Sequence, residues 1–63
     1  MSDKAFWVES ALSWCNMLDT SIQFVRYDVK LGEIDDALNQ VEIILAKAGH
    51  LKECLDKLKE SDA

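Results

Sequence analysis

The sequence predicts an all-α fold: an antiparallel hairpin of two long helices that dimerises into a four-helix bundle. Three observations carry this expectation. The 63 residues contain no proline, so nothing forbids long helices. The apolar residues repeat at alternating steps of three and four, the period of a heptad seam, with no sustained alternation at period two. That phase breaks once, in the middle of the chain, beside one of only two glycines.

The first helix is expected over about residues 3–30. Its seam is Val8, Ala11, Cys15, Leu18, Ile22, Val25 and Val29. Ser2 is a suitable N-cap. The second helix is expected over about 34–60, with the seam Ile34, Ala37, Val41, Ile44, Ala48, Leu51, Leu55 and Leu58. Lys57 and Lys59 suit its C-terminal end, where the helix dipole favours cations. The step from Val29 to Ile34 fits neither three nor four, which places a tight turn at about 31–33. Gly32 inside it suits a left-handed helix terminus. Lys30 before the turn, and Glu33, Asp35 and Asp36 after it, complement the two helix dipoles. Gly49 lies where the seam keeps its phase, so it is read as helical, at a cost of about 1 kcal/mol against alanine. The alternative breaks the chain there into three helices. Residues 1–63 thus form a single helical-hairpin domain.

A hairpin of this size has a marginal core of its own, since so short a chain buries only about 60% of its unfolded surface. The first helix also carries more apolar surface than a hairpin consumes. Phe6, Trp7, Trp14, Met17 and Phe24 form a flank beside the seam. With a stripe wider than the roughly 100° a surface helix needs, this flank is a candidate interface, either for a second copy or for a partner protein anchored on the tryptophans. Glu9, Ser13, Asn16, Thr20, Gln23 and Tyr27 make the opposite, polar face.

The net charge of −5 argues against nucleic-acid and anionic-membrane partners, which want a basic surface. No apolar run of about 18 residues offers a membrane span. The acidic N-terminus has no export signal, so a cytoplasmic location with reduced thiols is expected. Cys15, on the seam, reads as a small core hydrophobe, and Cys54, off it, as exposed; the hairpin offsets the two too far for a disulfide. His50 and Cys54, four apart, share a helix face and make half a metal site, but lysines surround them. Motifs of nucleophilic, zinc-dependent or phosphate-binding enzymes are absent. No catalytic residue, cofactor or metal site is assigned.

The length, the central turn and the paired seams resemble the Rop-type plasmid copy-number regulators. The resemblance implies a dimeric four-helix bundle that binds paired RNA loops through its first helices. In this sequence the face concerned is Glu9, Asn16, Thr20 and Gln23, with Lys4 and Arg26 near its ends, which is poor in positive charge. The segment KLGEIDDAL is similar to the junction in tetratricopeptide repeats, as shared turn chemistry. The expected function is a small non-enzymatic regulator or adaptor, of inhibitor or chaperone type, acting as a homodimer on another protein. The alternatives are a Rop-like RNA-binding regulator and an acidic nucleic-acid mimic.

Overall fold

The computed structural model describes residues 3–62. Helix α1 spans Asp3–Leu31 and helix α2 spans Ile34–Asp62. They pack antiparallel as a hairpin about 48 Å long and 14 by 12 Å across. The N-cap expected at Ser2 lies outside the described residues. Each helix has 29 residues, far beyond the length at which an isolated helix in water is marginal.

The turn is built from backbone hydrogen bonds. The Glu33 N–H donates to the Asp28 carbonyl at 2.8 Å, and the Gly32 N–H to the Val29 carbonyl at 3.1 Å. This pair of bonds is the Schellman termination, which needs a left-handed residue between the helix and the exit. Gly32 supplies it with φ of +75°, the only positive φ among the described residues. The Glu33 carbonyl then accepts from the Ala37 N–H at 3.0 Å and opens α2. Lys30 in the last turn of α1, and Asp35 and Asp36 in the first turn of α2, sit at the dipole ends that favour them.

Gly49 is helical, and α2 runs through it without a break. A methyl group there would meet nothing within 4 Å. The two glycines therefore predict opposite outcomes. Gly49→Ala should stabilise the chain by about 1 kcal/mol, because the helix gains propensity at no steric cost. Gly32→Ala should destabilise it by about 1–2 kcal/mol, the cost of a Cβ in the left-handed region. Thermal melts followed by circular dichroism check both. Opposite shifts are expected, and a rise for Gly32→Ala would refute the termination described above.

The contact between the helices is rotated from the apolar seam read in the sequence. The residues withdrawn from water on α1 are Trp7, Ala11, Trp14, Leu18, Ser21, Val25 and Asp28, with Ser10 beside them; on α2 they are Ala37, Gln40, Ile44, Lys47, Leu51, Cys54 and Leu58. Each keeps every second position of the expected seam and takes the preceding residue at the others. Replacing alternate positions by their neighbours turns the stripe by half a residue step, about 50°. The cysteines change places as a consequence. Cys54 is buried, at 3% exposure, and Cys15 is exposed, which corrects the expectation for both. The residues below 9% exposure are Ala11, Ser21, Ala37 and Cys54, all small. No large side chain is fully buried among the described residues.

Candidate interaction site

The rotation leaves two faces of the hairpin open, and they differ in chemistry. Each helix presents one heptad row on either side of the contact. A right-handed α1 running away from the viewer and α2 returning fix which rows share a side. On the front side α1 contributes Val8, Cys15, Ile22 and Val29, and α2 contributes Ile34, Val41, Ala48 and Leu55. On the rear side α1 contributes Ser10, Met17, Phe24 and Leu31, and α2 contributes Asp36, Ile43, His50 and Lys57. The stack of Trp14 on His50, with centroids 4.7 Å apart and planes 16° from parallel, lies on the rear side, as this assignment requires.

The front rows hold no polar or charged side chain other than the Cys15 thiol. All eight positions are exposed, with Ile22 at 42%, Val29 at 56% and Leu55 at 52%. They are the half of the expected seam that the hairpin contact does not use. The other half, Ala11, Leu18, Val25, Ala37, Ile44, Leu51 and Leu58, forms the floor between the rows. The expected seam therefore remains one continuous apolar surface, aimed partly at the other helix and partly at water. Leu12, Leu38 and Leu45 extend its margins and are also exposed.

The rear is mixed. Met17 and Phe24 are exposed beside Ser10, Asp36, His50 and Lys57. Of the aromatic flank read in the sequence, the structure uses Trp7 and Trp14 within the chain, half-buried against α2. Phe6 stays outside, edge-on to Trp7 at 4.9 Å and 81°. Phe24 also lines a shallow open depression of about 340 Å³ with Thr20, Gln23 and Tyr27, all from α1. One wall cannot enclose a small ligand, which wants a concave site burying most of its surface.

The contact itself carries polar groups on its rear side. Ser21, at 2% exposure, accepts a hydrogen bond at 2.9 Å from the Lys47 Nζ. The lysine spans the contact, its stem covering apolar surface and its ammonium satisfying the buried hydroxyl. The apolar period alone does not place these two residues in the contact; hairpin register is the signal that could have. A turn centred near residue 32 sets Cys15 beside about residue 49, and Trp14 beside His50.

Elsewhere the charges are superficial. Lys52 pairs with Asp56 at 2.9 Å and Lys57 with Glu60 at 3.9 Å, all well exposed. The hydrogen bond to Asp56, and then its charge, raise the Lys52 amine above the usual lysine value. Both pairs run lysine first, the weaker orientation on a helix. Among the described residues no group of three histidines, cysteines or carboxylates is placed to hold a metal ion. The His50 ring lies on Trp14 while the Cys54 thiol is buried in the contact. No helix among the described residues is long and apolar enough to cross a membrane.

Comparison with family models, with curated proteins and with solved structures gives no match. The chemistry of the two faces is therefore the basis for a functional reading.

Proposed function

We propose that this chain is a small non-enzymatic regulator or adaptor that self-associates through the front face and offers the rear flank to a partner protein. The observation that carries this reading is the front face itself: eight exposed side chains in two parallel rows, seven of them apolar and the eighth the Cys15 thiol, without a charge among them. A contiguous surface of this kind on a small protein marks an association site. The area supports the same conclusion. The chain exposes 4929 Å², where a folded monomer of 7.1 kDa exposes about 4,100 Å². The excess is about 800 Å², one partner's share of a standard-size interface. Helical hairpins pairing face to face make a four-helix bundle.

In this reading Phe6, Met17 and Phe24 remain outside the bundle for a second protein. The net charge of −5 selects partners with a basic surface and speeds their encounter. The function is binding, and no step of it requires bond chemistry.

Molar mass in solution across a dilution series, with tryptophan emission recorded alongside, tests the reading. The mass should move between two chains and one. The emission should stay constant across the same range, because Trp7 and Trp14 lean to the rear of the contact. A blue shift accompanying association would place the tryptophan flank in the self-interface instead. A mass of one chain at every concentration would remove self-association altogether.

A further inference from the structure

We infer that the second copy covers the front face in the antiparallel sense, with the two turns at opposite ends of the bundle. This deepens the self-association reading and rests on it. Three features of the chain argue for it, the first for the occupant and the other two for its direction.

The first is the rotation of the contact. In a square bundle the common axis lies about 45° away from the line joining neighbouring helices. An apolar stripe serving such a bundle must point there, not straight at one neighbour. The apolar stripes of α1 and α2 are each turned about 50° from the line of contact, both toward the front. A hairpin that functioned alone would gain by aiming both stripes at each other. A second hairpin with the same stripes completes the geometry, and this chain supplies one.

The second is the size of the side chains along the face. The level stack of Trp14 and His50 fixes the register, so Cys15 is about level with Ala48 and Ile22 with Val41. The small pair and the large pair are one heptad apart, on either side of the midpoint of the face. If both turns lay at the same end, the two small pairs would meet in one layer and the two large pairs in the next. The first layer would contain a void and the second would be overfilled. Turning one copy end for end brings Cys15 and Ala48 level with the partner copy's large pair, and each layer then holds two small and two large side chains. Alternation of large and small across facing positions is what dense core packing requires.

The third is charge. Between Asp28 and Glu42 lie five carboxylates, at 28, 33, 35, 36 and 42, against Lys30 alone. That segment surrounds the turn and accounts for a net −4 of the chain's −5. Copies with adjacent turns would hold two such clusters within about 15 Å, given helix spacings of 8–10 Å. Opposed turns separate them by roughly 40 Å, several times the screening length of about 8 Å at physiological salt.

The test is a spin-label distance at the turn. Glu33→Cys carries the label, with Cys15→Ala and Cys54→Ala removing the native thiols, and the molar mass of the labelled protein is measured in the same buffer. The expected result is a mass of two chains and a label separation of roughly 40 Å. Two chains with a separation under about 25 Å would overturn the antiparallel arrangement and leave self-association standing. A mass of one chain would remove self-association and this inference with it. A second measurement needs no substitution: lysine cross-linking of the native chain. Lys30 and Lys57 lie at opposite ends of one hairpin, and only the antiparallel arrangement brings them level between copies. A Lys30–Lys57 product supports it. Lys30–Lys30 products without it overturn it.

Discussion

An Ile22→Asp chain is expected to stay helical while its self-association weakens by about a thousandfold or more. In the isolated hairpin Ile22 is 42% exposed, so a carboxylate there reaches water and costs the fold little. In the proposed bundle the same position lies in a central layer. Each substitution removes about 1–2 kcal/mol of apolar burial and adds the cost of desolvating an unpaired charge. A two-fold dimer carries it twice, so a total of about 4 kcal/mol is a low figure, and that is already a factor of about a thousand. Phe24→Asp is the control. Phe24 is 53% exposed, comparably apolar and on the same helix, but faces the rear. Sedimentation equilibrium of both variants beside the native chain decides the matter. Dissociation by Phe24→Asp with Ile22→Asp unaffected would exchange the roles of the two faces.

The hairpin was legible because its signals are local and agree. A heptad period, one slip of phase, one glycine and charges of the right sign on either side of it all specify two helices and a turn. The observed ends, Leu31 and Ile34, bracket the glycine that carries the left-handed conformation. The direction of each stripe was not legible in the same way. A period gives the position and width of an apolar stripe on its own helix, but not how two neighbours share it. With one neighbour the stripe points straight across; with two it points between them. In the proposed bundle the seam read from Val8 to Val29 and from Ile34 to Leu58 is a stripe of the second kind. Because the contact is turned half a residue step from the seam, Cys15 and Cys54 exchanged places, and Ser21 and Lys47 entered the contact. Trp7 and Trp14 were read as surplus to the hairpin because the stripe was assumed to point straight across. Turned by half a step, the same helix carries both tryptophans into the contact and leaves Phe6, Met17 and Phe24 outside it.

Trp14→Ala should lower the midpoint of thermal unfolding by about 10–20 °C, the second large effect expected of this chain. Full truncation of a core tryptophan costs about 3–5 kcal/mol; Trp14 is half-buried, so about 2–3 kcal/mol is expected. In a domain this small each kcal/mol moves the midpoint by about 4–8 °C. The loss has a particular location. The turn end of the hairpin is closed covalently and by the hydrogen bonds around Gly32. Among the described residues the opposite end has no such closure and is held by side chains: the buried Cys54, the half-buried Trp7, and the stack of Trp14 on His50. His50→Ala should therefore be less costly than Trp14→Ala, and the double variant should cost less than the sum. The difference is the coupling of the stacked rings, about 0.5–1.5 kcal/mol. All melts need one chain concentration, since association shifts the midpoint by mass action. Strict additivity would mean that the rings merely lie side by side. Coupling of the expected size, together with faster amide exchange at the chain ends than at the turn in Trp14→Ala, would locate the first opening of the molecule at its unclosed end.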